Sequence, residues 1–267
     1  MRTEKTVDRR KETDLYTPIK QYWEARGYEV RAEVRHCDIV ALHPDEPDFP
    51  IIIELKASIN LTLVLQALER QKSSEAVYIA AEQKRGARAG RKRLNAVTAL
   101  CRRLGIGLMT VTFYARKPAF VEVHCTPQGF AASADGAPSS AEELHPAWRK
   151  PARVKTRTSR LVREFSARSG DYNVGGSTKR PLVTAYREKA LRVAAVLQQG
   201  PNRPAKIRDR SGVGEAAAIL QRNVYGWFVR IERGVYTLTP AGEAALVEYA
   251  DVLTHSLAAA PFVAVHS

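Results

Sequence analysis

The chain has 267 residues, 42 Lys and Arg against 28 Asp and Glu, a formal net charge of +14 and a hydrophobic content of 45%. That hydrophobic share excludes wholesale disorder. The three scattered cysteines, Cys37, Cys101 and Cys125, exclude a disulfide scaffold and suit free thiols in a reducing cytosol. No apolar run approaches the ~20 residues of a transmembrane helix. Residues 1–14 are charged and lack the apolar centre of a secretory signal, so the expectation is a soluble cytoplasmic protein with no membrane partner.

A pI near 9.9 concerns partners and not fold. Nucleic acid is the polyanion that best rewards many cationic contacts; a solubilising surface or an acidic protein is the alternative. The charge is clustered. Lys84, Arg85, Arg88, Arg91, Lys92 and Arg93 crowd one segment, and a second run extends from Arg149 and Lys150 through Arg157 and Arg160 to Arg168. Such runs repel themselves unless an anion relieves them.

In chain order, Leu15, Ile19, Tyr22 and Trp23 share a helical face that closes at Gly27, with Pro18 expected in the first turn. Tyr28 to Val34 and Asp38 to Leu42 read as strands, His43 to Pro50 as a proline-rich loop, and Ile51 to Lys56 as a short apolar strand. Leu61, Leu65 and Leu68 give a helical stripe, Ala76 to Ala81 a buried strand, and Arg91 to Leu104 a helix. Ile106 to Phe113 and Phe120 to His124 are further strands. The order predicts an α/β domain over 1–125 with a mixed sheet flanked by helices. Residues 126–180 turn to Gly, Ala, Ser, Pro and basic residues and read as a basic, partly disordered linker. From 181 to 267 a second unit follows. It has helices near 186–199, 204–210 and 214–224, strands at Phe228 to Ile231 and Val235 to Leu238, and a last helix capped by Thr239 and Pro240.

The sharpest local feature is Ile51-Ile52-Ile53-Glu54-Leu55-Lys56. Alternation along a strand puts Glu54 and Lys56 on one face, and two charges in a buried strand each need a partner. The plain alternative is a Glu–Lys pair on a half-solvated face. Asp38, on the preceding strand, offers a second carboxylate, and a divalent cation with oxygen ligands relieves such a pair. A hairpin symmetric about 43–50 sets Asp38 opposite Leu55, on the wrong face. Bringing the carboxylates together therefore requires a one-residue slip or a bulge. A zinc site from His36, His43, Cys37 and Cys125 has no supporting spacing.

Asp38, then Glu54-Leu55-Lys56, then a helix carrying Gln66 resembles the PD-(D/E)XK nuclease superfamily. Residues 12–113 resemble a prokaryotic branch of predicted PD-(D/E)XK phosphodiesterases, chiefly through Cys37-Asp38-Ile39-Val40-Ala41 and Ile53-Glu54-Leu55-Lys56. Cys37 stands where the superfamily pattern carries a proline. The resemblance implies a restriction-endonuclease-like αβββαβ core in which Asp38 and Glu54 hold Mg²⁺, or Mn²⁺ in its place. Lys56 would orient water or stabilise charge on the phosphorane, with Glu12 as a further carboxylate and Gln66 facing the site from the second helix. It also implies a product with a 5′-phosphate.

Gly234-Val235-Tyr236-Thr237-Leu238-Thr239-Pro240-Ala241-Gly242 resembles the wing-to-last-helix segment of winged helix-turn-helix proteins. That resemblance makes 214–224 a recognition helix presenting Gln221, Arg222 and Asn223, with Arg230 and Arg233 on the wing. Arg208 and Arg210 on the preceding helix, and Arg91, Lys92 and Arg93 in the first basic run, add candidate phosphate contacts. The expectation is a Mg²⁺-dependent nuclease acting on nucleic acid, DNA foremost, with a homodimer favoured if both strands are cut. The alternatives are a non-catalytic, regulatory DNA-binding protein on an inactive nuclease-like scaffold, and a winged helix that docks protein.

Overall fold

The computed structural model describes residues 10–84, 88–128, 152–176 and 181–259, without the side chains of 88, 89 and 152–155. The chain divides into two units, one of residues 1–165 with 173–182, the other of 166–172 with 183–267. No helix among the described residues is long and apolar enough to cross a membrane.

The first unit runs α1 (Thr13–Glu24), β1 (Glu29–Val34), β2 (Cys37–His43), β3 (Glu46–Lys56), α2 (Leu61–Arg70), β4 (Ala76–Glu82), α3 (Arg88–Leu104), β5 (Gly107–Thr112) and β6 (Phe120–Cys125). The six strands form one mixed sheet in the order β1-β2-β3-β4-β5-β6. β3, β4 and β5 are parallel, joined through α2 and α3, and the outer pairings are antiparallel. One face packs through Ile51, Ile53 and Leu55 onto Leu15, Ile19 and Trp23 of α1. The other packs through Ile52, Val77 and Ile79 onto Leu63, Val64 and Ala67 of α2 and Cys101 of α3. The strict alternation of β3 is what feeds both cores.

Several expectations are corrected. Pro18 lies inside α1 and not in its first turn; burial of Leu15, Ile19 and Trp23 carries the helix past the missing N–H. The proline-rich segment joins β3, which begins at Glu46. Its prolines are tolerated because β4 pairs only from Ile51 onward, leaving that stretch bonded on one side at most. On α2 the buried residues are Leu63, Val64 and Ala67, while Leu61 and Leu65 are exposed. An apolar arc covering more than half of the helix does not reveal which stripe within it faces the sheet.

Within the stretch expected as linker, α4 spans Ala152–Ala167. Its Leu161 and Phe165 are buried in the same cluster as Val34, Val40 and Leu63. Thr158 Oγ1 donates to the Ser73 carbonyl at 2.6 Å, and the Arg31 guanidinium lies 4.6 Å over the Phe165 ring. The basic residues around Leu161 and Phe165 masked a short apolar stripe. Arg85, Arg149, Lys150 and the Gly-Ala-Ser-Pro stretch from 129 lie outside the described residues, as do the side chains of Arg88, Arg153 and Lys155.

The second unit runs α5 (Ala185–Leu197), α6 (Pro204–Ser211), α7 (Ala216–Arg222), β7 (Phe228–Glu232), β8 (Val235–Leu238), α8 (Pro240–Glu248) and α9 (Ala250–Ala259). Thr184 and Thr239 cap α5 and α8, accepting from the N–H of Arg187 and Gly242. Gly212 ends α6 in the left-handed region. Leu191, Ile207, Ile219, Trp227 and Leu246 close the core between these helices and the hairpin.

If α4 is part of the first unit's core, Phe165→Ala lowers its unfolding free energy by about 3 kcal/mol, as for other large-to-small core changes. Chemical denaturation measures this. A change near zero would return residues 152–167 to the status of a linker.

Candidate functional site

The site is built by strand register. β2 pairs β3 as Ile39↔Ile53, Val40↔Ile52 and Ala41↔Ile51, and a bulge follows before His43↔Glu46. Continued by one residue, this pairing sets Asp38 across from Glu54. The one-residue slip that joins the two carboxylates is present, absorbed by the bulge near the turn. Asp38 Oδ2 accepts the Leu55 N–H at 2.8 Å, which fixes the carboxylate beside β3.

Glu54 is almost fully buried at 1% exposure. Arg70, at the C-terminal end of α2, donates from Nε to Glu54 Oε1 at 2.6 Å and from its guanidinium to the His36 carbonyl. Lys56 Nζ lies 3.1 Å from Glu12 Oε2, at the start of α1. The structure therefore brings Asp38, Glu54, Lys56 and Glu12 together, four of the five residues read from sequence. The fifth, Gln66, lies one turn before Arg70 on the same helix face, with Oε1 buried and no hydrogen-bond partner among the described residues.

Three features were not read from the sequence. Arg70 follows Gln66 by four residues, a spacing that would have flagged it. Glu33 carried no such signal, because its φ of +54° departs from strand geometry. That left-handed residue turns the end of β1, so that Ala32 joins one core and Val34 the other. Glu33 Oε1 accepts the Gly176 N–H at 2.9 Å. The third is the Gly175-Gly176 segment itself. A Cβ on Gly175 would meet the Asp38 carbonyl oxygen at 2.6 Å, and one on Gly176, at φ +75°, would meet Glu12 Cβ at 3.0 Å. Only glycine lets the backbone lie this close to both residues.

Burial raises the pKa of Asp38, opposed by the Leu55 N–H and the Lys56 charge. Glu54 is pushed up to about 7, first by burial and then by the Asp38 carboxylate, with Arg70 pulling the other way. A buried and a half-buried carboxylate that resist sharing negative charge suit a hard dication. Asp38 Oδ1 and Glu54 Oε2 make no hydrogen bond among the described residues and are the oxygens available to one. No group of three or more His, Cys, Asp and Glu that could hold a metal occurs among the described residues. Two carboxylates alone would leave most of the coordination of a cation to water and phosphate, as Mg²⁺ prefers.

Because folded Glu54 holds its proton more tightly than an unfolded glutamate at 4.5, its stabilising contribution is full below about 4.5 and is lost as pH rises through about 7. In EDTA, the melting temperature of wild type relative to Glu54→Gln should fall between about pH 5 and about pH 8. A difference independent of pH would mean that Glu54 does not titrate in a buried pair.

The candidate nucleic-acid residues divide. Arg91, Lys92, Gln221, Arg222 and Arg233 are exposed. Arg93 donates to the Ile59 carbonyl at 3.1 Å, Arg208 pairs with Asp209 and Arg210 with Gln199. Asn223 is corrected as a reader of bases. It ends α7 at φ +43°, its Nδ2 donates to the Phe228 carbonyl at 2.7 Å, and its Oδ1 accepts the Phe228 N–H at 3.1 Å. Both amide atoms are spent on closing the turn into β7.

No curated protein and no solved structure matches the chain significantly. One family profile does, over residues 109–245, just over half of the chain. The match begins in β5 and ends in α8, downstream of Asp38, Glu54 and Lys56, so family membership and site geometry are independent observations. On that match the chain belongs to the family described as Putative PD-(D/E)XK phosphodiesterase (DUF2161).

Proposed function

We propose that the chain is a divalent-metal-dependent nuclease that hydrolyses phosphodiester bonds in nucleic acid, with DNA as the foremost substrate. The observation that carries this reading is the register that sets Asp38 across from Glu54, with Lys56 two residues further along the same strand. A bound Mg²⁺, or Mn²⁺, would supply Lewis-acid polarisation of the phosphoryl group and a more acidic water. Asp38 and Glu54 hold the cation through the oxygens that the Leu55 N–H and Arg70 leave open. Lys56, kept at the site by Glu12, orients the attacking water and offsets negative charge growing on the phosphoryl oxygens. The buried Gln66 Oε1 offers a further acceptor from α2.

The second unit supports delivery. Its order of three helices, a hairpin and two helices resembles the plan of a winged helix-turn-helix, and Gln221 and Arg222 at the end of α7 and Arg230 and Arg233 on the hairpin are exposed, as DNA contact requires. Arg91 and Lys92 on α3 add phosphate contacts. One observation favours the rival reading of an inactive scaffold that only binds DNA. Arg70 already neutralises Glu54 without a metal.

The two readings part in a cleavage assay on single-stranded, double-stranded and branched DNA, and on RNA, with Mg²⁺, Mn²⁺ or EDTA. The nuclease reading expects metal-dependent strand cleavage that falls by about a hundredfold or more in Lys56→Ala, with DNA affinity in EDTA unchanged. No cleavage of any form, alongside salt-sensitive binding, favours the scaffold. Loss of affinity together with activity would contradict the role given to Lys56.

A further inference from the structure

Behind Arg70 lies a second feature that the carboxylate site does not use. A cavity of about 260 Å³ opens among Arg35, Arg70, Arg157, Arg160, Glu69 and Ser73. Four arginines face one glutamate. Arg70 is committed to Glu54, and Arg157 lies 3.7 Å from Glu69, which Lys72 also pairs. Arg35 and Arg160, both solvent-exposed, have no carboxylate partner among the described residues, so two of the four guanidinium groups lining this space are left to take an anion.

The backbone adds a second indication. Arg35 and His36 form the two-residue turn between Val34 and Cys37, both in the left-handed region at φ +49° and +65°. Turns of this kind favour Asn and Gly, and neither residue here is one. A strained turn that presents an arginine to a cavity is the pattern of strain kept for a ligand.

We infer that this cavity binds a phosphate monoester, the terminal phosphate of a nucleic-acid strand whose chain continues toward the carboxylate site. A monoester carries about −1.5 to −2 at pH 7, against −1 for an internal diester, and so matches the two uncompensated arginines. Guanidinium groups bind phosphate oxygens through paired N–H donors, which an end-on dianion can accept from more than one side. Ser73 on the wall adds a hydroxyl donor. Arg70 joins the two places, with Nε on Glu54 and its side chain lining the cavity. The choice of a strand end over a free phosphate ester rests on the nuclease reading; the phosphate chemistry of the cavity does not.

The test uses the full chain in EDTA, so that end recognition is read apart from cleavage. Labelled oligonucleotides with 5′-phosphate, 3′-phosphate or only hydroxyl ends are compared on wild type and on Arg35→Gly/Arg160→Ala. Glycine takes the φ of residue 35 freely, and Arg160 is exposed, so the double variant keeps its fold; its melting curve checks this. The expected result is about tenfold tighter binding of one phosphorylated end by wild type, absent in the variant, with hydroxyl-ended DNA bound by both. Inorganic phosphate and a mononucleotide form a second arm, read by thermal shift. If they stabilise wild type and not the variant while strand ends make no difference, the cavity takes a free phosphate ester and the strand-end assignment is overturned. Equal binding of all ends, with no shift from either small anion, overturns the site altogether.

Discussion

Asp38 and Glu54 face each other because β2 pairs β3 one residue away from the symmetric hairpin register, and the other groups at the site follow from that pairing. Side chains alternate with a period of two along a strand, so the unslipped register would turn Asp38 away from Glu54 and leave Glu54 alone in the core. The bulge between Ala41 and His43 absorbs the offset close to the turn. The pairing that results supplies the Leu55 N–H to Asp38 and raises the proton affinity of Glu54. Lys56, two residues on, reaches Glu12 where α1 begins.

Much of the first unit was legible because its signals were local. The β3 run of Ile51 to Lys56 alternates between two cores, and the order of helices and strands from α1 to β6 follows from periodicity alone. Glu54, Lys56 and Asp38 stood out because buried charge demands a partner. The register itself was not legible. A loop of eight residues leaves a one-residue choice open, and the structure resolves it with a bulge and a β3 strand that extends back to Glu46.

What escaped the sequence reading depends on contacts between distant segments. Arg70 becomes a site residue only once α2 lies against β3. Glu33 and Gly176 lie 143 positions apart, yet one hydrogen bond joins them beside Asp38. The helix α4, hidden in a basic stretch, contributes Phe165 to the core and Arg157 and Arg160 to the cavity. Asn223 shows the opposite error. An exposed-looking polar residue at a helix end proved to be the amide that closes the following turn. The family match over 109–245 lies downstream of the carboxylate pair, so the phosphodiesterase description comes from a part of the chain other than the proposed site.

We propose that Asp38 and Glu54 together make one divalent-cation site. Mn²⁺ binding followed by electron paramagnetic resonance tests it most directly, on wild type and on Asp38→Asn at equal ionic strength. One bound Mn²⁺ per chain is expected in wild type, displaced by Mg²⁺, with at least about a tenfold loss of affinity in the variant. Binding of equal strength in both proteins, or none in wild type, would contradict the claim and leave Arg70 as the cation that balances Glu54.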